Sequence, residues 1–208
     1  ATLGYAAPAT VTAAREALSV IRAQDLASQS LPLWYGCAWI EIYAGHMQPA
    51  RRIAEELQRR SAEARNPLGA ALASNLLGVL AYHADRLEDA RLHLEGALSA
   101  MDGLPAGFER AFFPQNPLLE ALAHLCHAQE VLGAFSAAAQ SRARLVGLID
   151  SGRHPLSELM GMWFVAYAHH LRGELDPAAR MCERALRQMD THDANPGKGA
   201  HLALLAWV

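Results

Sequence analysis

The chain has 208 residues, 52% hydrophobic and 19% charged, with a formal net charge of −3 and a sequence pI of about 6.4. That balance gives no basic footprint for nucleic acid, and no apolar run reaches the roughly eighteen residues of a membrane-spanning helix. Three widely separated cysteines, Cys37, Cys126 and Cys182, are a poor disulfide framework, so a reducing, cytoplasmic setting is expected.

No charged, apolar, small-residue leader is readable at the start; the first residue is Ala1 rather than Met, which points to processing or excision. Residues 9–27, ATVTAAREALSVIRAQDLA, read as the second helix of an earlier helical hairpin. Four hairpins follow at 32–65, 67–101, 117–150 and 155–190, introduced by Pro32, Pro67, Pro117 and Pro155, because proline starts helices well and continues them badly. Within them a phrase recurs: aligned on Ala50, Ala90, Ala138 and Ala178, its separations are 40, 48 and 40 residues. Five residues before each anchor stands Gly45, Asp85, Gly133 or Gly173, types that leave a helix through a left-handed turn at low cost. Pro49 and Pro177 suit the first position of the next helix and Asp176 the cap before it. The mixed charges of RRIAEELQRRSAEAR, residues 51–65, read as a solvated helix face. Residues 197–208, GKGAHLALLAWV after Pro196, start a further helix. β-Branched residues are sparse and no alternating stretch argues for a sheet, so the fold class is all-α. The chain reads as one domain, 1–208, cut from a longer array whose unprotected ends favour pairing between copies.

Thirteen and twelve residues before the anchors stand Cys37 and Ala38, Leu77 and Gly78, Leu125 and Cys126, Val165 and Ala166, with Trp34 sixteen before. Over residues 33–187 this pattern resembles the tetratricopeptide repeat, in a long-repeat form similar to the C-terminal regions of large bacterial LuxR-type transcriptional regulators and nucleotide-cyclase fusions that carry an ATPase module. The resemblance implies antiparallel helical hairpins stacked as a right-handed α-solenoid. Arg142, where a large apolar residue is usual, and Asp85, in place of a turn glycine, depart from it.

The resemblance also implies a concave surface lined by the first helices. Mapped onto this chain it comprises Tyr35, Trp39, Ile42 and Tyr43; Asn75, Val79, Tyr82 and His83; Ala123, His127, Glu130 and Val131; and Trp163, Tyr167 and His170. Four of the five tyrosines and two of the four tryptophans fall on it. Aromatic rings with a polar tip suit peptides, sugars or flat small molecules, although a stripe at helical spacing also serves simple packing.

Ten histidines invite a metal reading through His124, His127 and Glu130 with His169 and His170, but no HExxH or paired-cysteine motif supports one and no cofactor is expected. His127 and His170 fit hydrogen-bonding or pH-sensitive roles better. No GxSxG elbow is present, and the cysteines fall at packing positions. NPGKGAH, residues 195–201, lacks phosphate-loop spacing. No catalytic residue is therefore assigned. The stretch MDGLPAGFERAFFPQNP, residues 101–117, adds eight residues and places Phe108, Phe112 and Phe113 in a loop that either walls the surface or plugs a gap. The expectation is a non-enzymatic binding module of a bacterial regulator that recognises a small-molecule effector or a protein segment. The alternative is a scaffold or dimerisation domain without a small-molecule ligand.

Overall fold

Prolines and left-handed turn residues set the helix boundaries. The structure, a computed structural model, describes residues 6–23, 30–112, 115–152, 154–191 and 197–208. It divides into two units, residues 1–113 and 114–208. Every regular element among the described residues is helical. No helix there is long and apolar enough to cross a membrane.

In the first unit α1 (Pro8–Ala23), α2 (Leu31–Tyr43), α3 (Met47–Glu63), α4 (Pro67–His83) and α5 (Leu87–Asp102) each pack on the next. A 3-10 turn, Phe108–Ala111, follows. The second unit holds α6 (Pro117–Val131), α7 (Phe135–Asp150), α8 (Pro155–Leu171), α9 (Leu175–Thr191) and α10 (Lys198–Leu205), again packed in succession. In addition α2 touches α4, and α6 touches α8. The helix predicted at 9–27 covers Pro8–Ala23, and Pro196 and Phe113 lie outside the described residues.

The repeated turn is one hydrogen-bonded motif used four times. Gly45, Asp85, Gly133 and Gly173 have φ of 78°, 57°, 77° and 71°. The following N–H, from His46, Arg86, Ala134 or Glu174, reaches back to the carbonyl of Glu41, Ala81, Gln129 or His169 at 2.8–3.0 Å. This arrangement satisfies carbonyls that a helix end leaves without partners. The anchor alanine then donates the first bond of the next helix, to the carbonyl of His46, Arg86, Ala134 or Glu174. That bond corrects the predicted starts. Helices α3 and α9 begin two residues earlier than Pro49 and Pro177, and Asp176 lies in the first turn rather than at the cap. A proline at the third helical position loses nothing, because that N–H has no partner inside the helix. A fifth turn of the same kind, missed in the sequence, closes α3 at Arg65 (φ 50°), with Asn66 N–H bonded to the Ser61 carbonyl. Asn66 then caps α4 by accepting from Gly69 N–H at 3.0 Å, as Asn116 caps α6.

Asp85 alone of the four repeated turn residues carries a side chain into the left-handed region, where L-residues are strained. Asp85→Gly is expected to stabilise the protein by about 0.5–1 kcal/mol, the strain relieved less the extra freedom glycine gains when unfolded. Denaturant unfolding checks this, and an unchanged or lowered midpoint contradicts it.

The anchors and the small residues twelve positions before them form the contact between paired helices. Ala50, Ala90, Ala138 and Ala178 are fully buried, as are Ala38, Cys126 and Ala166. Gly78 fills the remaining place, and a Cβ there would lie 2.6 Å from Leu94 Cγ. The three cysteines are core residues: Cys37 donates to the Ala14 carbonyl at 3.3 Å and Cys126 to that of Ala138 at 3.6 Å. Burial pushes the Cys37 and Cys182 thiols up to about 11 and Cys126 to about 12, so none supplies a thiolate nucleophile near neutral pH. Trp34, also fully buried, has the guanidinium groups of Arg22 and Arg60 over its ring at 5.6 and 5.7 Å. Glu56 bonds to both.

Candidate binding surface

In each unit one helix carries rings at the register fifteen and eleven residues before the anchor. In the first unit these are Tyr35 and Trp39 on α2, each 1% exposed and meeting edge-on at 6.2 Å. Asn75 Nδ2 on α4 donates to Tyr35 Oη at 3.0 Å. Phe112, 2% exposed, packs against Tyr35, its ring 5.7 Å from that of Tyr35 at 84°. Phe108 sits 6.5 Å beyond Phe112. Five residues expected on an open surface, Tyr35, Trp39, Ile42, Asn75 and Val79, are core, with Tyr35 held between Phe112 of the inserted loop and Asn75 of α4. Of the loop's three phenylalanines, Phe112 is therefore a core residue. Tyr43 remains exposed with its ring 5.5 Å from Trp39, Tyr82 is half-buried, and exposed His83 meets Tyr82 edge-on at 5.3 Å.

In the second unit the same register stays accessible. Trp163 and Tyr167 on α8 are half-buried and stack at 5.1 Å with planes 8° apart. His170 follows Tyr167 at 6.1 Å and 22°, and Trp207, 71% exposed, lies 6.1 Å beyond His170. From α6, half-buried His127 brings its ring within 5.0 Å of Tyr167. These rings lie at i, i+4 and i+7 on α8, so helix geometry alone puts them in one row. Beneath the row Tyr167 packs with Ala166, Cys182 and Leu204. Trp207, which completes the row, was not singled out in the sequence; its only signal is a tryptophan in the apolar run LALLAWV.

Two further residues expected on this surface are placed otherwise. Ala123 is fully buried, and Glu130 is a buried carboxylate clamped by Arg142 at 3.3 Å and Arg172 at 3.5 Å. The Glu130 pairing also accounts for Arg142, the departure from the usual apolar residue: its guanidinium neutralises a buried charge instead of filling a core position. Val131 is exposed.

The histidines do not converge. His124 Nδ1 donates to the Glu120 carbonyl at 2.8 Å while its ring packs on Phe164, and His169 pairs with Glu174 at 2.5 Å. Among the described residues no group of three His, Cys, Asp or Glu side chains is arranged to hold a metal ion. Burial lowers His127 below its ordinary value of 6.5, which favours the neutral imidazole.

A cavity of about 360 Å³ in the first unit is lined by Ala6, Val11, Arg15 and His46, among others. Two of its lining side chains, Arg15 and His46, are engaged by buried Glu41, which accepts from Arg15 Nε at 2.6 Å and meets His46 Nδ1 at 2.8 Å. Burial alone would raise the Glu41 carboxyl, but these hydrogen bonds outweigh it and hold the group below its ordinary 4.5. The Glu41 cluster ties α1, α2 and the turn at Gly45 together.

The elements define an all-α chain in which one row of rings is left half-open. Comparison of the sequence with protein-family models and with curated proteins gave no match.

Proposed function

We propose that the chain is a non-catalytic, tetratricopeptide-like binding module that takes a protein segment on the face formed by Trp163, Tyr167, His170 and His127. In this reading the helix pairs are antiparallel hairpins stacked as a right-handed α-solenoid. The module belongs to a cytoplasmic bacterial regulator whose other domains receive the signal. The observation that carries it is the row itself: rings in mutual contact held half-open, at a register that the first unit buries. Stacked rings turn their faces toward one another, so a partner meets chiefly their electropositive edges. Edges suit the carbonyl oxygens of an extended backbone and the faces of incoming aromatic side chains. A sugar or flat effector needs open ring faces instead, and Trp39, fully buried, offers no wall for a closed pocket.

The test is selection of displayed random peptides on the full chain, followed by affinity measurement with Tyr167→Ala. The expected result is at least a tenfold loss of affinity, about 1.4 kcal/mol or more, while the variant keeps its helical circular dichroism. Selected peptides that bind the variant as tightly as the parent would overturn the reading.

A further inference from the structure

The repeat register makes two surfaces directly comparable. Tyr35 and Trp163 both stand fifteen residues before their anchors, and Trp39 and Tyr167 both stand eleven before. In the first unit Tyr35 of this pair already has an occupant from the same chain. Gly107, at φ 86°, turns the backbone into the 3-10 segment Phe108–Ala111, and Phe112 N–H bonds to the Glu109 carbonyl at 3.0 Å. That geometry presents Phe112 edge-on to Tyr35 and sets Phe108 against Phe112 as a second ring. In the second unit Trp163 meets, among the rings of described residues, Phe164 and Tyr167, both on its own helix, and stays half-buried. Chemically alike positions are thus covered by a phenylalanine-bearing turn in one unit and left open in the other.

We infer that the Trp163–Tyr167 face recognises a phenylalanine-bearing turn of a protein partner, seated as residues 104–112 are seated on Tyr35. This inference rests on the function proposed above and narrows it to an aromatic anchor. A phenylalanine supplies a large apolar area with few rotors to freeze. It also meets ring edges in the T-shaped arrangement that Phe112 and Tyr35 adopt.

The probe is the synthetic peptide LPAGFERAF, which reproduces residues 104–112, titrated calorimetrically into the full chain. The comparisons are the same peptide with both phenylalanines replaced by alanine, and the chain carrying Tyr167→Ala or the milder Tyr167→Leu. The inference predicts saturable binding that weakens at least tenfold with the alanine peptide and with either variant. Lack of saturation overturns it, as does equal binding of the alanine peptide. Binding indifferent to both variants also overturns it, since the peptide would then be exchanging with its own copy in the first unit. The peptide selection separates the two failures. If selected peptides depend on Tyr167 but lack aromatic residues, this inference falls and the protein-segment reading stands; if none depends on Tyr167, the reading itself falls.

Discussion

Trp39→Ala is expected to destabilise the protein by about 3–5 kcal/mol, the cost of emptying a buried tryptophan site. The ring is almost fully buried between Tyr35 and Tyr43, with α4 beside the helix that carries it. Its removal leaves a cavity that stiff neighbouring helices fill only in part. Tyr167→Ala, at the same register in the second unit, removes a ring that is already partly exposed. It is expected to cost less than half as much, because the lost burial is smaller. Chemical denaturation followed by circular dichroism measures both. Similar losses at the two positions would mean that the two faces are equally buried, contrary to the distinction between a covered and an open face.

Glu120→Gln is expected to stabilise the protein at neutral pH and to do so progressively less toward pH 4. Glu120 lies fully buried in the first turn of α6, and its Oε2 has no hydrogen-bond partner among the described residues. Burial therefore holds the carboxyl well above its ordinary 4.5. The sign follows from proton linkage. The folded state keeps a proton that the unfolded state releases near pH 4.5, so this group's contribution is whole at acid pH. It declines by about 1.4 kcal/mol per pH unit as pH rises toward the folded value. Glutamine is neutral throughout and removes that slope. Equilibrium unfolding of parent and variant at pH 4, 5, 6 and 7 measures it, and a gain that does not grow with pH contradicts the assignment.

How much of this was legible beforehand depended on whether a feature was local. The turns were: Gly45, Gly133 and Gly173 adopt the backbone conformation that their residue type suits, and Asp85 was marked as the turn residue despite its side chain. The anchor alanines were legible too, because a small residue repeated at a fixed offset means close helix contact. Which face of α2 or α8 meets solvent was not. Eight of the 13 residues of α2 and nine of the 17 of α8 are buried, and a helix buried around much of its circumference has no clear polar stripe to orient it. Tyr35 and Trp163 therefore look alike in sequence, and what separates them is Phe112, supplied by a loop some seventy-five residues along the chain from Tyr35. Glu130 misled for a related reason: its partners, Arg142 in the middle of α7 and Arg172 at the end of α8, come from 12 and 42 residues away, beyond the reach of a periodicity argument.

The central claim is that the Trp163–Tyr167 face binds a protein segment while the equivalent face of the first unit is core. The most direct measurement follows the four tryptophan indole N–H resonances of the full chain in nitrogen-15 correlation spectra as a selected peptide is added. The account predicts that Trp163 shifts in a saturable way, while buried Trp34 and Trp39 hold their positions. Shifts at Trp34 or Trp39 with Trp163 unmoved would contradict it.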